Sequence, residues 1–292
     1  MTQTLELKDK MEGLLRTNRL PHVWCSGCGI GIVLNSFLRA LIASETDENK
    51  VAVSCGIGCT ARISGYMNID GFHMTHGRAL AFATGLKLAN PALKTVAIGG
   101  DGDMIAIGGN HFIHAARRNI DMLVICVNNF NYGMTGGQAA PTTTKESCGT
   151  TAPYGSFENP FNLPFIADAC GAVYVARWTA FHVRQLQLSI QEALKKKGFS
   201  FIEIFSQCTE LFLRKNKYGA GLDEMKFFKQ NSVIKNGADT REAEFNSRND
   251  KIVVGKFVDR ERPDFKESMD GYFGKVLKDK FIRYEGPLQT KI

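Results

Sequence analysis

The sequence predicts an α/β fold: a doubly wound, mostly parallel sheet followed by an irregular C-terminal arm. Three observations carry this expectation. Short β-branched runs, Lys94-Thr-Val-Ala-Ile98 and Leu123-Val-Ile-Cys-Val127, stop at Gly99-Gly100 and Asn128-Asn129, as strands buried on both faces do. Between them, Ile107 to Asn119 has helical spacing, which makes a βαβ unit. Its strand ends, carrying Asp101 and Asn129, then share one carboxyl edge of the sheet, where α/β folds place ligands. The same strand, turn and helix rhythm returns before and after this unit.

Residues 1–21 read as an N-terminal extension with weak helical patterning, its apolar handles being Leu14, Leu15 and Leu20 before Pro21. A domain over 22–213 opens on His22-Val-Trp-Cys25-Ser-Gly-Cys28-Gly, a glycine-rich turn, and continues in a helix from about Val33 to Ala43. The strand Val51 to Ser54 runs into Cys55-Gly-Ile-Gly-Cys59, a second cysteine turn at a strand end. Thr75-His76-Gly77-Arg78 opens a helix, Ala79 to Ala89, that Asn90-Pro91 ends. After the central unit, the loop 139–163 is rich in Thr, Gly and Pro and has no periodic pattern; in compact domains such long loops are usually functional. From Phe165 the expected elements are a short helix stopped by Gly171, the strand Ala172 to Ala176, and an amphipathic helix with Thr179 as N-cap that runs to Lys197-Gly198. The strand Phe201 to Phe205 then delivers Cys208. After Leu213 periodicity weakens and charge rises, so 214–292 is expected to be an arm packed on the domain or on a partner rather than a second domain.

Composition narrows the function classes. With 292 residues, 44% of them hydrophobic, the chain has material for one large core. No apolar run reaches the roughly 18 residues of a membrane helix, and the charged start MTQTLELKDKMEGLL does not read as a secretory leader. A cytoplasmic protein is expected. The net charge of +7, with its excess after Leu213, suits an acidic partner or a phosphorylated cosubstrate. Basic residues neither form runs nor interleave with aromatics, which argues against nucleic acid. The 8 cysteines without an export signal argue for ligation or plain burial rather than a disulfide framework.

The stretch Gly99 to Gln138 reads as a metal-diphosphate cradle. Magnesium on a diphosphate takes one or two carboxylates beside phosphate oxygens and water. Asp101, the Asn129 amide and a backbone carbonyl from the next turn are donors of that kind. Gly100 and Gly102 let the backbone approach phosphate, and Gly133, Gly136 and Gly137 do the same from the second turn. The competing reading is a pair of structural glycine turns.

For the cysteines, Cys25 and Cys28 supply two thiols from one turn, while Cys59 or Cys55, and Cys208, each follow a strand and reach the same edge. That pattern is open to an iron-sulfur cluster, to structural zinc or to a redox pair. Cys126, in an apolar strand, and Cys170, in an Ala-rich helix, read as core; Cys148, in the long loop, is unassigned. His111 and His114 read as packing or capping residues. His76 and Arg78 lie at a helix start, whose amides attract anions. Arg62, three residues after Cys59, is either a surface arginine or a bidentate partner for a substrate carboxylate.

Gly100-Asp101-Gly102 followed by Asn128-Asn129 resembles the thiamine diphosphate motif. GDGD, with NNFNYGMTGGQ and Pro141-Thr-Thr, resembles the β subunit of 2-oxoacid:ferredoxin oxidoreductases over most of 22–210. The resemblance implies a sheet of the thiamine diphosphate-binding type, with Asp101, Asn129 and the carbonyl of Asn131 as magnesium ligands. It implies that Gly100, Gly102, Asp103, Gly133, Met134 and Thr135, together with Ile57, Gly58, Cys59 and His76, surround thiamine diphosphate. Arg62, His76 and Arg78 become the catalytic candidates, and Cys25, Cys28, Cys59 and Cys208 the ligands of one 4Fe-4S cluster, Cys55 being a bystander.

The implied activity is oxidative decarboxylation of a 2-oxoacid, with coenzyme A collecting the acyl group and electrons leaving through the cluster to ferredoxin. Arg62 inclines the substrate toward 2-oxoglutarate; pyruvate and branched 2-oxoacids are the alternatives. Thiamine enzymes take a pyrimidine-activating glutamate from a second, related domain, and none is read in this chain. An α subunit supplying it, in an (αβ)2 assembly, is therefore implied. Two rivals stand beside this reading. A non-redox thiamine-dependent decarboxylase or lyase does not need four converging cysteines, and a zinc-stabilised assembly module does not need Asp101 and Asn129.

Overall fold

In the computed structural model, which describes residues 2–287, the strands in chain order are β1 (Val51–Cys55), β2 (Asp70–His73), β3 (Lys94–Gly100), β4 (Met122–Asn128), the short β5 (Asn131–Tyr132) and β6 (Gln138–Ala139), β7 (Tyr174–Thr179), β8 (Phe199–Phe205), β9 (Ser232–Ile234) and β10 (Ile252–Asp259). The helices are α1 (Thr2–Leu14), α2 (Ile30–Ser44), α3 (Ala79–Ala89), α4 (Gly109–Arg117), α5 (Leu163–Ala169), α6 (Val183–Lys195), the one-turn α7 (Arg214–Asn216), α8 (Gly221–Asn231) and α9 (Phe265–Leu277). Eight strands form one sheet in the order β2-β1-β3-β4-β8-β7-β10-β9. From β2 to β7 every pairing is parallel; β10 joins β7 antiparallel, and β9 pairs parallel with β10.

The pleat explains why the apolar runs are continuous rather than alternating. Along β4, Leu123, Ile125 and Val127 enter the core under α2 and α6, while Met122, Val124 and Cys126 enter the core under α3, α4 and α5. Both faces are covered, as in a doubly wound sheet. The chain leaves β1 toward β2 on one side and leaves β3 toward β4 on the other. The order thus reverses between β1 and β3, which is where such sheets open a ligand crevice.

Some local expectations differ from the structure. The helix expected over Ile107 to Asn119 is preceded by a wide turn over Gly102–Ile107 before α4 begins at Gly109. Thr179 ends β7 rather than capping α6, whose N-cap is His182; Thr179 Oγ1 accepts from the Phe181 amide at 3.2 Å and lies 2.9 Å from His182 Nδ1. Leu14 and Leu15 pack on the first core, but Leu20 is exposed. The chain after Leu213, expected as an irregular arm, supplies α8, β9, β10 and α9. Ile252 and Val254 of β10 enter one core, and Val253 and Phe257 the other. Among the described residues, no helix is long and apolar enough to cross a membrane.

Candidate active site

The turns after β1, β2 and β3 meet at the carboxyl edge of the sheet, and one carboxylate joins them. Asp103 Oδ1 accepts from the amide of Gly77 at 2.7 Å and from that of Ile57 at 3.1 Å. It also lies 3.1 Å from His76 Nδ1, without the alignment of a hydrogen bond. Burial raises the Asp103 pKa, and the two amides oppose that rise. Gly56 is obligatory in this packing, since a Cβ there would fall 2.0 Å from Asp103 Oδ2.

Asp101, two residues earlier, is 2% exposed. Its Oδ2 accepts from the Thr142 hydroxyl of the long loop. Burial pushes its pKa up to about 7, and the charge of Glu203 adds to the rise. A carboxylate so placed gains from a cation far more than a solvated one does.

After β4 the two asparagines divide their work. Asn128 points into the protein, its Nδ2 donating to Glu203 Oε1 at 2.8 Å and its Oδ1 accepting from the Phe130 amide at 3.1 Å. Phe130 takes a left-handed conformation, φ +64°, which a side chain with a Cβ adopts at a cost of about 1–2 kcal/mol. Asn129 and Asn131, on either side of it, both reach the crevice. Asn131 is buried, yet neither its Oδ1 nor its Nδ2 has a hydrogen-bond partner. An orphaned buried amide is costly, and beside a buried carboxylate it fits a ligand-binding role.

Ile57, Gly58, Cys59, His76, Gly100, Asp101, Gly102, Asp103, Asn129, Asn131, Gly133, Met134 and Thr135, all singled out from the sequence, line this crevice with Thr60 and Tyr132. The Tyr132 ring covers Gly102 so closely that a Cβ there would meet it at 2.4 Å. Gly100 and Gly102 line the crevice together with Gly133 of the second loop, where the backbone can approach an anion closely, whereas Gly136 and Gly137, also singled out from the sequence, are not among its lining residues.

Next to it lies a mainly apolar cavity of about 160 Å³ lined by Cys25, Cys28, Cys59 and Cys208, with Trp24 and Arg62. Trp24 Nε1 donates to the Cys59 carbonyl at 2.8 Å, and Thr209 Oγ1 donates to the Ser26 carbonyl at 3.1 Å, which fixes the three cysteine turns against one another. Burial pushes the Cys28 thiol up to about 12 and raises that of Cys59, and the other thiols raise both further. Thiols raised in this way, as Cys28 and Cys59 are, ionise readily only beside a strong positive centre. A Cβ at Gly133 would lie 3.5 Å from Cys208 Sγ and 3.8 Å from Cys59 Sγ. Among the described residues, no group of three or more His, Cys, Asp or Glu side chains is arranged as a metal-ion site. Cys59, Asn129, Gly133 and Met134 line both cavities.

Other candidates stand apart from the crevice. Arg78 is exposed, its Nη1 donating to the His76 carbonyl at 3.1 Å, and it does not line the crevice. Arg62 lies on the cysteine side. Cys55 and Cys126 are wholly buried, and Cys170 packs partly on the second core. Thr60, Tyr132 and Thr142 were missed as site residues. Thr60 adjoins Cys59, and Tyr132 and Thr142 lie inside motifs already singled out, so adjacency was the available signal.

Residues 55–204 match the family of the thiamine pyrophosphate enzyme C-terminal TPP binding domain. The chain is 52% identical over 260 residues to the 2-oxoglutarate synthase subunit KorB of Methanothermobacter marburgensis, covering 88% of this chain and 90% of that one. It is 53% identical over 267 residues to the subunit of the same name from Methanocaldococcus jannaschii, covering 91% and 97%. Among solved structures it is similar to the 2-oxoglutarate:ferredoxin oxidoreductase of Magnetococcus marinus, with a TM-score of 0.80, 29% identity and coverage of 97% and 93%; that structure holds 2-oxoglutarate, coenzyme A and succinyl-CoA.

Proposed function

Because the chain belongs to the thiamine pyrophosphate enzymes, and within them to the β subunits of 2-oxoacid:ferredoxin oxidoreductases, we propose that it is the β subunit of a 2-oxoglutarate:ferredoxin oxidoreductase. The reaction converts 2-oxoglutarate and coenzyme A to succinyl-CoA and carbon dioxide, with two electrons passing to ferredoxin. The wall shared by the two cavities carries this reading: Cys59, Asn129, Gly133 and Met134 face a diphosphate cradle on one side and four converging thiols on the other. A non-redox lyase has no use for that adjacency.

Asp101, Asn129 and the Asn131 carbonyl would hold magnesium, and the glycine amides a diphosphate. Thiamine diphosphate, when bound, supplies an electron sink for the 2-oxo carbon. Cys25, Cys28, Cys59 and Cys208 would hold one 4Fe-4S cluster. The cavity that these four thiols line, about 160 Å³, has room for a polynuclear centre, and iron-sulfur clusters take thiolate ligands of this kind.

His76 lines the crevice with Nδ1 beside Asp103, which leaves Nε2 to exchange a proton. Arg62 would offer its guanidinium to the distal carboxylate of the substrate. Among the described residues, the carboxylates lining the crevice are Asp101 and Asp103, one accepting from the Thr142 hydroxyl and the other from two backbone amides. The pyrimidine-activating glutamate is therefore assigned to an α subunit, in a cytoplasmic (αβ)2 assembly. The test is anaerobic co-expression with that subunit: ferredoxin reduction that requires both 2-oxoglutarate and coenzyme A is expected. Carbon dioxide release without either requirement overturns the proposal.

A further inference from the structure

Between β7 and β8 the sheet contains a charge pair that its own stability does not explain. Arg177 Nε donates to Glu203 Oε2 at 2.6 Å, and the two side chains are 1% and 0% exposed. Removing two charges from water offsets most of their attraction, and apolar residues of similar size serve a core equally well or better. The pair does something further with its remaining atoms. Glu203 Oε1 accepts from Asn128 Nδ2, and Asn128 Oδ1 accepts from the Phe130 amide. Arg177 also donates through Nη1 to the Ala243 carbonyl and lies over the Phe205 ring, 4.6 Å from its centroid. Phe205 in turn meets the Phe130 ring edge-on at 4.9 Å. Two routes from one buried pair thus converge on Phe130, the left-handed residue between Asn129 and Asn131.

We propose that Arg177 and Glu203 are positioning residues, which hold Asn128 and thereby fix the Phe130 backbone so that Asn129 and Asn131 meet the metal and diphosphate together. The inference rests on the thiamine diphosphate reading above. The Thr143 hydroxyl donates to the Phe130 carbonyl at 2.6 Å, which leaves the amide side of Phe130 to the Asn128 clamp; without that clamp the amide is free to turn, and its relaxation turns the two flanking asparagines apart. Side chains that orient metal ligands through hydrogen bonds are typically worth about 10- to 100-fold in metal affinity or activity.

Two neutral double variants separate positioning from stability. Arg177→Met with Glu203→Gln removes the charges but keeps an amide oxygen for Asn128; Arg177→Met with Glu203→Leu removes that acceptor as well. In the assembled complex, titration with thiamine diphosphate and magnesium is expected to show wild-type affinity for the Gln variant. The Leu variant is expected to lose about 10- to 100-fold, at equal iron content and equal cofactor-free melting temperature. Should the Leu variant not fold, Asn128→Ala, which leaves the ion pair intact, is expected to show the same loss. Wild-type affinity in the Leu variant, or in Asn128→Ala, overturns the positioning role and leaves the thiamine reading intact. A wild-type complex that binds no thiamine diphosphate overturns both.

Discussion

Asp103 Oδ1 lies 3.1 Å from His76 Nδ1 while it receives the amide hydrogens of Gly77 and Ile57. One side chain therefore joins the cysteine turn after β1, the His76 turn before α3 and its own turn after β3. Asp103→Ala leaves the buried Gly77 amide and the part-buried Ile57 amide unpaired, and the expected cost is about 1–3 kcal/mol. Urea denaturation checks it; an unchanged midpoint would show that water or a rearranged loop replaces the carboxylate.

Asp101 sets a pH dependence whose sign follows from its burial. Its pKa rises from 3.8 to about 7, so within that interval the native chain holds a proton that the unfolded chain releases. Stability of the cofactor-free chain is therefore full below the lower value and declines as pH rises through the upper one. Magnesium competes with that proton, so its affinity climbs to about pH 7 and then levels. Calorimetry in buffers of different ionisation enthalpy should detect proton release just below that pH. Asp101→Asn should abolish both the release and the decline; persistence of either would assign it to another group.

Gly102 has no room for a side chain, because the Tyr132 ring lies where its Cβ would be. Gly102→Ala should destabilise the chain by about 1–3 kcal/mol through overpacking, and Tyr132→Ala in the same chain should restore the loss. Thermal melts of the single and double variants decide the point.

Arg62 has no hydrogen bond or ion pair to the described residues and borders the cysteine cavity beside Cys59. A bond from it to the distal carboxylate of 2-oxoglutarate is worth about 1.5–3 kcal/mol. Arg62→Leu should therefore raise KM for 2-oxoglutarate roughly 10- to 100-fold by the same measure, with little change in kcat and none in the response to pyruvate. Equal effects on both substrates would remove its specificity role.

Much of this arrangement was legible in the sequence, for identifiable reasons. Strands buried on both faces leave unbroken β-branched runs, and β3 and β4 announce their carboxyl ends by Gly99-Gly100 and Asn128-Asn129. Local spacing also marks Cys25 with Cys28, and Asp101 with Gly102. What was not legible depends on long-range pairing. The strand β2, Asp-Gly-Phe-His, is an edge whose residues are mostly exposed and carries no apolar pattern. Charge around β10 obscured an apolar run that completes the sheet beside β7. Arg177 and Glu203 interrupt apolar strands, so each reads as an exposed position until the fold brings the two together. Asp103 carries the same lesson, since the amides it binds lie 26 and 46 residues away.

The cysteine set gives the most direct test, because it distinguishes the redox enzyme from both rivals. Iron and acid-labile sulfide should be measured in the anaerobically purified complex, for the wild type and for Ser variants of Cys25, Cys28, Cys59 and Cys208, with Cys55→Ala as the control. The expected result is about four iron and four sulfide per β chain in the wild type and the control, with the cluster lost or degraded in each of the four Ser variants. Zinc without sulfide, or a wild-type cluster in the Cys208→Ser chain, would contradict the account.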